Sequence, residues 1–133
     1  MTPNLEPVVG GLDLRCCDCM DLMRECADKA FDLAIVDPPY GIGAAEMTMG
    51  KWTTSRMEKK PWDKSAPPIE FFQELKRVSR HQIIWGGNYF PLPPSRCWIV
   101  WDKGAGFEDR DFAEAELAWT SFDANVRKFK RDP

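Results

Sequence analysis

Apolar and polar positions change period several times along the chain, and each change marks an element. Residues 12–17, Leu-Asp-Leu-Arg-Cys-Cys, alternate and predict a short strand. Met20, Leu22, Met23 and Cys26 then recur at spacings of three and four. That spacing predicts a helix over 19–27, with Asp18 as its N-cap. Leu33 to Val36 is an uninterrupted apolar run, the pattern of a strand buried centrally in a parallel sheet. It stops at Asp37-Pro38-Pro39, where two residues without N–H groups end any ladder. Strand, helix and strand in that order predict a parallel crossover unit.

The pattern lapses at both flanks of this unit. Residues 1–10, with Pro3 and Pro7 before the Gly10-Gly11 pair, predict a loose arm. Residues 44–66 keep neither period and predict a mobile basic loop carrying Lys51, Trp52, Arg56, Lys59 and Lys60. Interleaved cations and tryptophans suit a nucleic-acid backbone and its bases. A solvated loop that binds nothing is the plainer alternative.

Periodicity returns at Pro67-Pro68, which opens a second helix. Ile69, Phe72, Leu75 and Val78 mark one face of it, with Phe71 beside them. Lys76, Arg77 and Arg80 lie where the helix dipole favours cations. Residues 82–85 and 97–101 predict short buried strands. The first ends in Gly86-Gly87-Asn88-Tyr89-Phe90 and the second in Asp102-Lys103-Gly104, with a rigid proline-rich connector over 91–95. Residues 113–120 have helix-forming composition. Phe112, Leu117 and Trp119 nevertheless fall near alternating positions after a strand turn, so a strand is predicted. Alternation over 125–130 predicts a last, edge-like strand.

At 133 residues the chain is expected to form a single domain, 1–133. A net charge of −3 neither requires nor excludes nucleic acid. The first residues lack the apolar core of a secretory signal, and no apolar run approaches a membrane span. Cysteines number five, and Cys16, Cys17, Cys19 and Cys26 crowd one segment. Without a signal, reduced thiols and a cytoplasmic setting are expected. A structural zinc site needs four converging ligands. There is no second cysteine pair and His81 is the sole histidine, so no metal is expected.

Chemistry concentrates at Asp37-Pro38-Pro39-Tyr40, a loop at the carboxyl end of a predicted strand, where open α/β sheets place ligands. It offers a carboxylate, carbonyls held by proline rings and an aromatic face, and Gly41 and Gly43 permit close approach. Asp37 as a plain turn cap and Gly86-Gly87 as a simple turn are the structural alternatives. Trp85, Trp98, Trp101 and Trp119 read as core.

The ordered series Asp18-Cys19, Asp37 to Gly41, Phe72 to Arg80, Gln82 to Phe90, Pro94 to Lys103 and Phe112 to Phe122 resembles the DNA amino-methyltransferases. The likeness is to the β class of adenine-N6 enzymes. It implies an α/β, partial Rossmann-like methyltransferase sheet with helices on its faces. It also implies methyl transfer from S-adenosylmethionine to adenine N6 in double-stranded DNA with the adenine flipped out, in a bacterial or phage restriction-modification setting. By resemblance Asp37, Pro38, Pro39 and Tyr40 form the catalytic loop. Asp37 and the Pro38 carbonyl would accept hydrogen bonds from the amino group, drawing its nitrogen toward a tetrahedral shape, and Tyr40 would stack on the base. Asp18 and Cys19, with Asp37, would face the cofactor, and the 44–66 loop would lie over the base pocket or DNA.

The family's glycine-rich cofactor loop and its His-Pro-x-x-Lys-Pro stretch do not occur in these residues. The two central strands that go with them, between 12–17 and 32–37, are therefore expected to be missing. A gap of that kind predicts a rearranged sheet, self-association or completion by a second polypeptide. Two other functions remain open: an inactive remnant that binds DNA or protein, and cytosine-N4 methylation, in which Ser more often stands at the position of Asp37.

Overall fold

The computed structural model describes residues 10–42, 64–107 and 112–131. Its elements are α1 (Cys19–Glu25), β1 (Phe31–Val36), α2 (Ile69–Val78), β2 (Ser79–Trp85), a single 3-10 turn (Gly87–Tyr89), β3 (Trp98–Asp102), β4 (Ala115–Thr120) and β5 (Arg127–Lys130). The described strands form one mixed sheet in the order β1-β2-β4-β3-β5. β1 runs parallel to β2, β4 lies antiparallel between β2 and β3, and β5 runs parallel to β3. Residues 43–63, with Lys51, Trp52, Arg56, Lys59 and Lys60, lie outside the described residues, so the basic-loop expectation is not met or contradicted there.

Local chemistry sets the element ends. Asp18 caps α1 by accepting a hydrogen bond from the Met20 N–H at 2.7 Å. Lys29 turns the chain into β1 with φ at +54°, uncommon for a residue with a side chain. Three hydrogen bonds hold it there. Its N–H donates to the Arg77 carbonyl at 2.8 Å, and its Nζ donates to the carbonyls of Lys76 at 2.6 Å and Ser79 at 3.0 Å. α2 passes straight into β2 at Ser79, whose hydroxyl donates back to the Leu75 carbonyl at 2.5 Å. Arg77 ties the two helices: it pairs with Glu74 and Asp28 and donates to the carbonyls of Met23 and Cys26.

One core joins the helices to the sheet: Met23, Cys26, Phe71, Leu75, Val78, Ile84, Phe90 and Trp119. The polar groups buried beside it are paired. Gln82 Nε2 donates to the Ser79 hydroxyl at 2.9 Å, and the Thr120 hydroxyl donates to the Cys97 carbonyl at 2.6 Å.

The structure corrects three expectations. Residues 12–17 form no strand, and Leu12 and Leu14 are both 82% exposed. A strand needs a ladder partner, and β1 makes its described ladder with β2 only, so the expected crossover reduces to β1-α2-β2. β1 is accordingly an edge strand and not a buried central one, with Asp32, Leu33 and Ile35 exposed. Third, α1 and α2 share one core on one face, and among the described residues no helix covers the other. The cause is connectivity: β1 to β2 is the one described crossover that carries a helix. The result is a mixed α/β fold around an open sheet.

The remaining elements follow the sequence pattern. β4 is a strand despite the helix-forming Ala113-Glu114-Ala115-Glu116 at its start, because it pairs on both sides, with β2 and with β3.

Candidate active site

The carboxyl ends of β1, β2 and β3 and the amino end of β4 meet at one edge of the sheet. Each contributes a functional side chain or a backbone position. From β1 comes Asp37, exposed, followed by buried Pro38 and half-buried Pro39 and Tyr40. From β2 come Gly86 and Gly87. Gly86 has φ at +69°, and a Cβ there would stand 2.2 Å from a carbon of the Tyr40 ring. A Cβ on Gly87 would stand 2.4 Å from the Trp119 Cβ. The glycine pair is therefore more than a turn: it lets Tyr40 and Trp119 close onto the end of β2.

Tyr40 organises the polar groups. Its hydroxyl donates to Asp37 Oδ1 at 2.9 Å and lies 3.5 Å from Glu116 Oε2. Glu116 Oε1 pairs with Lys103 Nζ at 2.7 Å. Lys103 is only 8% exposed, and its ammonium lies 5.6 Å from the centre of the Trp101 ring. A buried ammonium needs such partners, a carboxylate at hydrogen-bond distance and an aromatic face. Burial, followed by the hydrogen bond to Asp37, pushes the Tyr40 phenol well above its usual range. The phenol stays protonated and serves as a fixed donor that holds the Asp37 carboxylate.

The Tyr40 ring is stacked on Tyr89 at 4.9 Å and meets Phe90 edge-on at 6.2 Å. Beside this stack lies a cavity of about 420 Å³ lined by Tyr40, Ile42, Asn88, Tyr89, Lys103 and Glu116, among others. That volume is within the range of small-molecule sites. A larger cavity, about 550 Å³, lies between α2 and the 91–96 connector, lined by Ile69, Phe72, Trp119 and Phe122 among others. It is mostly apolar and includes none of the Asp37 cluster, so the smaller cavity is the chemically equipped one.

Of the residues expected from sequence, Asp37, Pro38, Pro39 and Tyr40 stand together at this edge. Asp18 and Cys19 do not join them in a pocket. Both are exposed, Asp18 is committed to capping α1, and neither lines the two cavities above or a third, of about 440 Å³, beside Arg24 and Arg77. Asp18 and Cys19 thus stand apart from the Asp37 cluster.

Glu116, Lys103 and Tyr89 were not singled out by sequence. Their segments were, but the ion pair depends on the antiparallel register that sets Asp102 opposite Ala115 and Trp101 opposite Glu116. Set against family models, characterised proteins and solved structures, this chain matches none.

Proposed function

We propose that this chain is the target-base half of a DNA adenine-N6 methyltransferase whose methyl donor is S-adenosylmethionine. The observation that carries this reading is the Asp37 carboxylate held by the Tyr40 hydroxyl at 2.9 Å, beside a cavity of about 420 Å³.

In this reading Asp37 Oδ1 is occupied by Tyr40, and Oδ2 accepts one hydrogen bond from the base's amino group. The Pro38 carbonyl takes the other. Two acceptors on one NH2 localise the nitrogen lone pair and place carboxylate charge where positive charge develops. Lys103 and Glu116 neutralise each other and keep Tyr40 from turning away. The Tyr40 ring already packs against Tyr89 and Gly86, so the base takes the place that the exposed Tyr89 ring now holds. When bound, the donor supplies an electrophilic methyl group. Asp18 and Cys19 stand apart from the Asp37 cluster, so in this reading a second polypeptide completes the donor's pocket.

Nucleoside binding followed by NMR at the Tyr40 and Tyr89 resonances tests the acceptor role. Adenosine is expected to bind about tenfold more tightly than purine riboside, which lacks the 6-amino group, and Asp37→Ala is expected to erase the difference. Equal binding of the two nucleosides by the wild-type chain would sink the reading. A preference for cytidine would favour cytosine-N4 methylation. With duplex DNA and S-adenosylmethionine, Asp37→Ala is expected to abolish any methyl transfer that the wild-type chain supports.

The exposed, uncavitied position of Asp18 and Cys19 favours a second reading, a binding module without activity of its own. Asp37 separates the two: methyl transfer that depends on Asp37, by the chain alone or completed by a second polypeptide, contradicts the module.

A further inference from the structure

β5 and its next residue read Arg127-Lys128-Phe129-Lys130-Arg131, four cations around one aromatic ring. All five residues are exposed. Among the described residues none of the four cations takes part in an ion pair. Elsewhere Arg15, Arg24, Arg77, Arg80, Arg96 and Lys103 each sit on a carboxylate. In a chain of net charge −3, this strand concentrates unneutralised positive charge.

Its position is specific as well. Lys130 stands opposite Asp102 in register, and Asp102 precedes Lys103, which lines the cavity beside Tyr40. The Asp102 carboxylate accepts a hydrogen bond from the Gly104 N–H at 2.9 Å and does not neutralise Lys130. The Arg131 N–H donates to the Asp102 carbonyl at 3.2 Å, and Trp101 Nε1 donates to the Arg131 carbonyl at 2.8 Å. On the sheet face that carries no described helix, Phe129 and Trp101 lie parallel, their rings 6.4 Å apart.

We propose that β5 is the surface on which the phosphodiester backbone of duplex DNA lies while one of its bases enters the Tyr40 cavity. The choice of DNA as partner rests on the function proposed above; the charge and position of the strand are independent of it. A strand rises roughly 3.3 Å per residue, so Arg127 to Arg131 spans about 13 Å. DNA carries one charge per roughly 3.4 Å of helix axis on each strand, so four cations over this length meet a comparable density of negative charge. Arg127, Phe129 and Arg131 share one face by strand alternation, and Lys128 and Lys130 share the other. The backbone is thus gripped from both sides of the edge, with an apolar platform on one. The competing explanation is edge protection, since lysines on an edge strand block pairing with other chains.

Fluorescence anisotropy of a labelled mixed-sequence duplex, read across a salt series with the full chain, separates these. Replacing Arg127, Lys128, Lys130 and Arg131 together by Gln is expected to weaken binding at low salt by at least about tenfold. It is also expected to flatten the slope of log affinity against log salt by about 3. Arg127→Lys with Arg131→Lys is expected to keep the slope. If the fourfold variant fails to fold by circular dichroism, Lys128→Gln with Lys130→Gln is expected to give about half the flattening. A folded variant with the wild-type affinity and slope overturns the proposal, as does a variant that only aggregates more. Absence of duplex binding by the wild type, or equal binding of polyglutamate, also overturns it. The adenosine test reads Asp37 and the salt slope reads β5, so either can fail alone.

Discussion

β1 and β5 both lie at an edge of the described sheet, and the water they meet finds different chemistry. β5 shows three cations and a single phenylalanine, with Arg131 following, the composition of a strand that does not pair with other chains. β1 shows Leu33 at 41% and Ile35 at 62% exposure, with Leu12 and Leu14 exposed upstream. Its composition is that of an interior strand. The difference teaches that position in a sheet and composition are separate facts. β5 has the residues for its place, while β1 has residues suited to a neighbour that the described chain does not give it.

The largest effect expected from this comparison uses two isoleucines of adjacent strands. Ile84 on β2 is 2% exposed and packs in the core, whereas Ile35 on β1 is mostly in water. Ile84→Ala is expected to cost about 2–5 kcal/mol in urea denaturation. At concentrations below self-association, Ile35→Ala is expected to cost less than about 1 kcal/mol. A loss at Ile35 approaching that at Ile84 would mean that β1 is covered in solution, and the contrast between the edges would break.

Arg77 comes next, because it holds α1 to α2 and so supports the side of the sheet that has fewest partners. Arg77→Met keeps the stem and removes the hydrogen bonds to the Met23 and Cys26 carbonyls. The expected loss is about 1–3 kcal/mol. Hydrogen exchange should localise it to α1 and leave the β2–β4 ladder protected. Uniform loss of protection would show that the two sides of the sheet unfold as one unit.

A smaller effect is expected at the open edge itself. Light scattering over a concentration series should show self-association of the wild-type chain, and Ile35→Lys should weaken it by about tenfold, near 1.4 kcal/mol. Lysine at that position gives β1 the kind of charge that β5 carries. A wild-type chain that stays monomeric throughout would show that exposed apolar residues at this edge are tolerated without a partner.

How much of this was legible before the structure depends on whether the cause was local. α2 and β2 announced themselves because a buried face imposes its own period: Leu75, Val78, Gln82 and Ile84 are buried in the spacing that each element dictates. The Asp18 cap and the Asp37-Pro38-Pro39-Tyr40 strand end were legible for the same reason, since cap and proline chemistry act on neighbouring residues. The alternation of residues 12–17 describes a strand but cannot supply its partner. The exposure of β1 is hidden for the converse reason: an apolar run does not reveal which neighbours it lacks. Lys103 with Glu116, and Tyr40 with Tyr89, were invisible because register and tertiary approach bring them together.

The smallest effect asks whether β1, open along its edge, is nonetheless fixed at its carboxyl end. Tyr40 is the test, because its hydroxyl joins Asp37 of the β1 loop to Glu116 of β4. Burial first, then the hydrogen bond to Asp37 and the charges of Asp37 and Glu116, favour the neutral phenol in the folded chain. An unfolded tyrosine loses its proton near pH of about 10. Below that value both states are protonated and the contribution of Tyr40 to stability is fully present. Above it the folded state holds more protons than the unfolded, so stability falls as pH rises toward the folded value. The chain has two tyrosines, and Tyr89→Phe leaves Tyr40 as the sole phenol. Its phenolate absorbance should then stay absent through the normal tyrosine range and appear only as the protein unfolds. Adding Asp37→Asn removes the neighbouring charge and should bring ionisation to lower pH, still above the usual range because burial remains. An unchanged curve in the Asp37→Asn background would show that the carboxylate does not hold Tyr40. The strand end would then be as loosely determined as the edge beside it.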